Sequence, residues 1–337
     1  MQRLSAGIAI LIFGAVAASG AWAQVPSTGP STELRTGSGP GWPARTVRLV
    51  VPFPPGGPTD TFSRATAAEI AKSLGQQVIV ENRPGAGTTI GADLVAKAAP
   101  DGHTLLFTDL STHTITASLY TRLPYHPLRD FAPVAPVNSS PLLLVAHPSV
   151  GARTVREAIA VAKRHPGITI GNSGIGTVTH MAAEKFAMRA GIKTTAVNYK
   201  GGATPVIALL GGEVDLVMAT VPASIQHVQK GKLVALGVAA ARRSPYLPDI
   251  PAIAETLKDV EGAVIAGVLA PAGTPRGVVE RLNAEFARAS AAPRVKELYA
   301  VNAAEALTMT PAELQAALER DVKAWAVVVE ATGVKLQ

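Results

Sequence analysis

The sequence predicts an α/β fold of two lobes, and three observations lead to this prediction. Short β-branched runs alternate with apolar stripes at helical spacing, which is typical of helices layered on a mostly parallel sheet. The alternation occurs twice, once on each side of a long apolar stretch at residues 133–147. About 295 residues follow residue 42, which is enough chain for two domains.

The first set of elements begins with a strand predicted at residues 47–51. The helix that follows carries an apolar stripe at four-residue spacing from Phe62 to Leu74, and Gly75 stands where a helix C-cap belongs. The rest of this set is predicted as strands at residues 78–80 and 104–108, with a helix carrying Ile90, Leu94 and Ala98 between them.

Residues 133–147 contain three interrupting Pro or Asn residues, so we expect a strand that passes between the lobes rather than a helix. The second set follows it. Its strands are predicted at residues 168–170, 195–198, 214–218 and 233–238, and its helices at residues 178–190 and 205–210. Domain 1 is therefore expected to comprise residues 44–138 and 263–337, and domain 2 residues 139–262.

An apolar run at residues 262–270 leads back to the first lobe. Thr274 then precedes Pro275, and Thr310 precedes Pro311, which are favoured residue types at helix starts. Glu313 completes a capping box for the last helix. We expect both helices to pack the end of the chain onto the first lobe.

The N-terminus has the three parts of a secretory signal peptide: Arg3, an apolar run at residues 7–18, and a small-x-small site at residues 21–23. The apolar run is shorter than the roughly 20 residues of a membrane-spanning helix, which disfavours an uncleaved anchor. We predict a cleaved signal peptide at residues 1–23, a flexible tether at 24–43, and an exported protein.

Composition excludes several functions. The net charge of +7 favours anionic ligands, and the basic residues are scattered without interleaved aromatic residues, so nucleic-acid binding is not expected. The chain has no cysteine, which excludes a disulfide framework, a thiolate metal site and a cysteine nucleophile.

Two glycine-rich loops follow predicted strands and precede predicted helices, at residues 52–60 and 171–180. A helix start exposes unpaired N–H groups and the positive end of its dipole, so it can hold a carboxylate. Loops at matching places in two lobes face each other across a cleft at the carboxyl ends of the strands. A simple tight turn is the alternative for each loop taken alone.

The chain also resembles a known family. The motifs are Pro-Phe-Pro-Pro-Gly-Gly at residues 52–57 with Asp60, Glu-Asn-Arg-Pro-Gly-Ala-Gly at 81–87, Pro-Asp-Gly at 100–102, Tyr-Lys-Gly at 199–201 and Leu-Ala-Pro-Ala-Gly-Thr-Pro at 269–275. In this order they resemble the Bug (Bordetella uptake gene) family, the receptors of tripartite tricarboxylate transporters.

The resemblance implies a type II periplasmic-binding-protein fold in which two lobes, joined by two crossovers, close on a ligand by a hinge. It implies a periplasmic, monomeric, non-catalytic receptor without a metal or cofactor, which binds a di- or tricarboxylate, an acidic amino acid or an aromatic carboxylate. The loaded receptor delivers its ligand to the membrane subunits of the transporter. A sensory role, in which it signals to a membrane kinase, is the alternative.

Carried over by position, the resemblance gives a set of ligand-binding candidates in both lobes. They are Phe53, Pro55, Gly56, Gly57, Thr59, Asp60, Thr108, Ser111, Thr112, His113, Asn172, Ser173, Gly174, Gly176, Thr177, His180, Tyr199, Lys200, Gly201, Ala219 and Thr220.

Three departures from the family pattern bear on the ligand. Pro58 removes one backbone donor at the helix start, so an anion there relies on the N–H groups of Gly57, Thr59 and Asp60 or on water. Ala219 stands at a position that is often acidic. The pair at residues 265–266, Ile and Ala, replaces a pair that is commonly aromatic, which favours a wider or more apolar pocket.

A dinucleotide-binding enzyme is the principal competing hypothesis, because glycines at 85, 87 and 91 follow a predicted strand and Asp109 lies about 20 residues further on. The spacing is GxGxxxG instead of GxGxxG, which argues against it. A hydrolase is also disfavoured, because the motif around Ser173 lacks the final glycine of a nucleophile elbow. His180 and Glu184 supply at most half of a metal site.

Gly174, one of the ligand-binding candidates, allows a test by substitution. We expect Gly174→Val to leave the fold nearly intact and to remove ligand binding, because a side chain would occupy the space of the ligand.

Overall fold

The computed structural model of the chain describes residues 41–336. The predicted signal peptide at residues 1–23 and most of the tether at 24–43 lie outside the described residues. Within residues 41–336, no helix combines the length and the apolar character needed to cross a membrane.

The strands are β1 (Val47–Val51), β2 (Val78–Asn82), β3 (Thr104–Asp109), β4 (Phe131–Ala146), β5 (Ile168–Asn172), β6 (Thr194–Asn198), β7 (Leu216–Thr220), β8 (Val234–Val238), β9 (Ala263–Pro271) and β10 (Glu305–Ala306). The helices are α1 (Pro58–Leu74), α2 (Thr89–Ala96), α3 (Leu110–Leu119), α4 (Val155–Arg164), α5 (Val178–Ala190), α6 (Thr204–Leu210), α7 (Val221–Gln229), α8 (Arg276–Ala291), α9 (Pro293–Val301) and α10 (Pro311–Thr332).

The strands form two groups that share β4. The first group has the order β2-β1-β3-β9-β4, with β10 also paired to β4, and the second has the order β4-β7-β5-β6, with β8 also paired to β4. β1, β2 and β3 are parallel, as are β5, β6 and β7, whereas β9 and β4 run antiparallel to their neighbours. The predicted α/β fold is confirmed.

β4 is the strand predicted to pass between the lobes. Residues 131–141 pair with β9 in the first group, and residues 142–146 pair with β7 in the second. Its Pro133, Pro136 and Pro141 lie in the part that pairs with β9, where the register shifts twice. A Pro cannot donate to a sheet ladder, and Pro133 and Pro136 stand at these two shifts, where a Pro is tolerated.

The helices with clear sequence signals are found as predicted. α1 begins at Pro58 and ends at Gly75, whose φ of 65° is the left-handed conformation that favours glycine. α5 has the predicted bounds, and α10 begins with the predicted capping box between Thr310 and Glu313.

α3 was not predicted from the sequence. The helix contains five Thr or Ser residues and is buried on almost every side, so it has no apolar stripe. Asp109 caps it by accepting from the Ser111 N–H at 3.1 Å. α4, α7 and α9 were also missed.

The two C-terminal helices pack differently from each other. α8 lies on the first group of strands, and its Phe286 shares an apolar core with Phe62 of α1, as expected. The second half of α10 instead places Trp325 and Val329 in the same core as Phe186 of α5. The expectation that the chain end packs on the first lobe therefore fails only for the second half of α10, because Leu314 and Leu318 in its first half share a core with Val50 of β1.

Candidate functional site

The loop between β1 and α1 presents free backbone donors. Among the described residues, the N–H groups of Gly57, Thr59 and Asp60 meet no acceptor, and Pro58 has no N–H to offer. These three donors lie at the positive end of a 17-residue helix. The geometry therefore matches an anion site that uses backbone groups.

The Asp60 side chain is occupied in holding this loop. Its carboxylate accepts from the Gly56 N–H at 2.9 Å and from Asn82 Nδ2 at 2.8 Å, and it pairs with Arg64 at 3.0 Å. Burial alone would raise the pKa of Asp60, but the hydrogen bonds from these three groups outweigh it and hold the pKa below its usual value. Asp60 therefore offers a ligand its N–H and not its carboxylate.

Asn82 supports the same loop and was missed as a site residue. Its Nδ2 also donates to the Phe53 carbonyl at 3.1 Å, and its Oδ1 accepts from Arg64 at 2.8 Å. The available signal was its position at the end of β2, directly opposite Val51 of β1.

We predict that Asp60→Ala destabilises the protein by about 2 kcal/mol, because the loop loses a buried carboxylate that accepts hydrogen bonds from three groups. Urea unfolding followed by circular dichroism measures the effect. Asp93→Ala is the matched control, since its partner Lys97 is 63% exposed in an i,i+4 pair, which contributes below about 0.5 kcal/mol. Equal stability losses in the two variants would contradict this role.

The loop between β5 and α5 differs from the one before α1, because its N–H groups bond within the protein. Ser173 N–H donates to Thr179 Oγ1 at 3.0 Å, and Gly174 N–H donates to Asn172 Oδ1 at 2.9 Å. Gly176 N–H donates to His180 Nδ1 at 3.1 Å. The expectation of two equivalent helix starts that grip the ligand through backbone donors is therefore not met here.

The two glycines of this loop have structural reasons to be glycine. Gly174 has a φ of 135° and Gly176 a φ of 76°, which other residues rarely adopt. A Cβ at Gly176 would overlap Leu119 Cδ2 of α3. Gly174→Val therefore strains the backbone before it meets a ligand, so the expectation of a nearly intact fold is withdrawn.

The second group of strands instead offers side-chain donors. Asn172 ends β5 and is fully buried; its Oδ1 is used by Gly174, and its Nδ2 has no partner among the described residues. Thr220 ends β7, and its buried Oγ1 is also unpartnered. Thr108, near the end of β3, is also buried and has an unpartnered Oγ1. Unpaired buried polar groups are rare in proteins, and these lie where parallel strands end.

Short contacts join the predicted residues of the second group. Tyr199 N–H donates to the Asn172 carbonyl at 3.0 Å, and Gly201 N–H donates to the Ser173 carbonyl at 3.3 Å. A Cβ on Gly202 would lie 3.8 Å from Thr220 Oγ1. The loops after β5, β6 and β7 therefore form one cluster, with the exposed Lys200 at its rim.

Three predicted residues have partners that give them other tasks. His113 Nε2 bonds the Pro127 carbonyl at 2.8 Å, the ring stacks on Tyr125, and burial lowers its pKa to about 4. Ser111 Oγ donates to the Ala263 carbonyl at 3.0 Å. Thr112 Oγ1 accepts from the Val178 N–H of α5 at 3.2 Å.

Ala219 and Ala266 are two of the residues that depart from the family pattern. They pack in separate apolar cores. Their side chains are buried by neighbours such as Val217 and Val268, so neither residue enters the site proposed below.

Two surface depressions share no residue with the predicted site. One is lined by Tyr120, Tyr125 and Arg129, and the other by Ser149, His165 and Asp215. Among residues 41–336, no three His, Asp or Glu side chains gather as metal ligands.

The model of the tripartite tricarboxylate transporter family receptor, TctC, matches residues 62–334. The chain belongs to this family. This chain is 36% identical to the protein BugT of Bordetella pertussis, over 88% of this chain and 92% of BugT. The expected membership of the Bug receptors is thereby confirmed, and the chain is a solute-binding receptor.

Solved structures show the same architecture. The periplasmic binding protein BugD matches with a TM-score of 0.80 and 34% identity, over 88% of this chain and 100% of BugD. MatC from Rhodopseudomonas palustris, solved with malate, matches with a TM-score of 0.77 and 35% identity over 86% of this chain and 100% of MatC. A further R. palustris protein, solved with adipate, has a TM-score of 0.81 and 33% identity over 87% of this chain and 98% of that protein.

Proposed function

We propose that this TctC receptor captures a small carboxylate in the periplasm and delivers it to transporter membrane subunits. Two similar receptors were solved with malate and with adipate, both small carboxylates. The unpartnered donors at the strand ends suit the same chemistry, because a carboxylate accepts hydrogen bonds and donates none.

The proposed site has two halves. The α1 start contributes the N–H groups of Gly57, Thr59 and Asp60, and the second group of strands contributes Asn172 Nδ2 and Thr220 Oγ1. The buried Asn172 carries the proposal: its Oδ1 is committed to Gly174, and its Nδ2 is a buried donor without a partner among the described residues, for which the ligand supplies the acceptor. Lys200 adds a positive charge at the rim.

Ligand capture is proposed to close two lobes, residues 44–138 with 263–337 and residues 139–262, about the crossovers formed by β4 and the segment before β9. Contacts from both lobes to one ligand favour the closed arrangement over the open one. No bond of the ligand is made or broken, so the receptor needs no cofactor. Export through a cleaved signal peptide and action as a monomer complete the proposal.

A thermal-shift screen of carboxylates tests this function. A ligand present at 100 times its Kd stabilises the protein by about 2.7 kcal/mol, which raises Tm by several degrees. The matched amide of each acid is the control, because it keeps the shape and loses the charge. Stabilisation by NAD, or by amides as much as by acids, would contradict a carboxylate receptor.

A further inference from the structure

A second acidic residue lies at the strand ends and, unlike Asp60, has no cationic partner. Asp109 ends β3 and is 3% exposed. Its carboxylate accepts from the Ser111 and Ile265 N–H groups, both at 3.1 Å, and from Thr112 Oγ1 at 2.5 Å. All three donors are neutral, so hydrogen bonds stabilise the negative charge, but no positive charge neutralises it.

The elements packed around Asp109 place their own charged groups elsewhere. β4 and β9 contain no titratable residue. On α3, His113 faces the Pro127 carbonyl. On α5, His180 bonds the Gly176 N–H and lies 3.5 Å from Glu184.

Two further groups lie on helices that pack near α3. Lys185 of α5 lies over the Trp325 ring of α10. Asp321 is a half-buried acid of α10, and burial raises its pKa. Neither forms an ion pair with Asp109, whose pKa is set mainly by burial and by hydrogen bonds from neutral groups.

The register places Asp109 beside the anion site. In the parallel pair of β1 and β3, Val50 lies opposite Leu106, so the loop that leads from β1 to α1 and the end of β3 at Asp109 lie at the same edge of the sheet. Neighbouring strands are about 4.8 Å apart, which puts Asp109 within roughly 10 Å of an anion at the start of α1. Two negative charges at this separation in a partly buried site repel each other appreciably.

Burial raises the pKa of Asp109 to about 6, against the hydrogen bonds from Thr112, Ile265 and Ser111 that lower it. The carboxyl is thus ionised at pH 8 and about half protonated at pH 6. A bound anion disfavours the ionised form and raises this pKa further. Because the bound state then holds the proton more tightly, binding takes up a proton and ligand affinity rises as the pH falls.

We propose that Asp109 determines which acids the receptor prefers: it couples capture of a carboxylate to uptake of a proton, and it penalises acids with two negative charges more than acids with one. The proposal rests on the proposed carboxylate-binding function. It assigns a specificity-determining role to a residue that the sequence presented only as an acid about 20 residues after a glycine motif.

The test measures the Kd of adipate and of hexanoate by calorimetry at pH 8 and pH 6, where the carboxyl groups of both acids are largely ionised. If the ligand raises the pKa of Asp109 by about one unit, hexanoate binds about fivefold tighter at pH 6 than at pH 8, and adipate gains more. In Asp109→Asn, both affinities are expected to be independent of pH and, at pH 8, at least as tight as those of the wild type.

Asp215→Asn is the matched control. Asp215 is also a strand-flanking acid and accepts from the Thr169 N–H at 2.8 Å, but it precedes β7 at the end opposite Thr220. This variant is expected to keep the pH dependence of the wild type. In the wild type itself, titrations at pH 6.5 in buffers of different ionisation enthalpy should report uptake of about half a proton.

The outcomes separate two failures. Affinities that are equal at pH 6 and pH 8, or an Asp109→Asn variant that binds more weakly with an unchanged pH slope, overturn this inference and leave the carboxylate receptor standing. The second result would mean that Asp109 only caps α3. Absence of binding for any carboxylate overturns the proposed function, and this inference with it.

Discussion

Asn172→Asp is expected to weaken carboxylate binding by at least about 100-fold. The buried Nδ2 donor becomes an acceptor oxygen that faces the ligand, so one hydrogen bond is lost and like charges meet in a buried site. The other side-chain oxygen can still accept from Gly174, so the loop keeps its local support. Calorimetry with the best acid from the thermal-shift screen measures the change.

Asn198→Asp is the matched control for this variant. Asn198 ends the neighbouring strand β6 directly opposite Asn172, and its side chain is exposed. We expect its Kd to stay within about threefold of the wild-type value, because solvent screens an exposed charge. If both variants bind like the wild type, Asn172 Nδ2 does not contact the ligand.

Gly176→Ala is expected to destabilise the protein by about 3 kcal/mol. The residue has a φ of 76°, and its new Cβ would overlap Leu119 Cδ2 in a fully packed core. Chemical unfolding measures the loss. Gly191→Ala is the control, because Gly191 also has a positive φ, 61°, but open space around it, so that only the backbone strain of about 1 kcal/mol remains.

A double-mutant cycle tests whether the part of the Gly176→Ala destabilisation that exceeds the backbone strain comes from the overlap with Leu119. Leu119→Ala creates space beside the new methyl group, so the double variant should lose less stability than the two single variants together. Additive losses would show that the overlap with Leu119 relaxes without cost, and that backbone strain alone explains the effect.

The fold could be predicted from sequence wherever a periodic pattern or a capping residue was present. β4 was recognisable because its interrupting Pro and Asn residues excluded a helix, and α10 because Thr310 and Glu313 form a capping box. α3 could not be found, because Thr and Ser residues of a helix that is buried on almost all sides leave no apolar stripe. The chain position of α10 gave no indication that Trp325 packs against α5.

The loops of the site were predictable from the sequence, but the atoms that are free to bind a ligand were not. Asn172 and Thr220 were named as candidates, but only the structure shows that their donors are unpaired. The loop before α5 has the same glycine-rich pattern as the loop before α1, yet Thr179 and His180 accept its N–H groups. Such internal hydrogen bonds depend on side-chain directions, which a spacing argument does not contain.

The loop supports were predictable only in part. Asp60 was expected at the start of a helix, but its hydrogen bond with Asn82 joins two residues that are 22 positions apart in sequence. Asp109 was noticed only as an acid about 20 residues after a glycine motif. Its significance comes from Ile265, a donor from a strand more than 150 residues away.

A crystal structure of the receptor with its best carboxylate tests the central claim most directly. We expect a carboxylate oxygen about 3 Å from the N–H of Gly57, Thr59 or Asp60, and a second acceptor of the same ligand within hydrogen-bond distance of Asn172 Nδ2. A ligand that occupies the depression lined by Tyr120, Tyr125 and Arg129, or that touches only one of the two groups of strands, would contradict it.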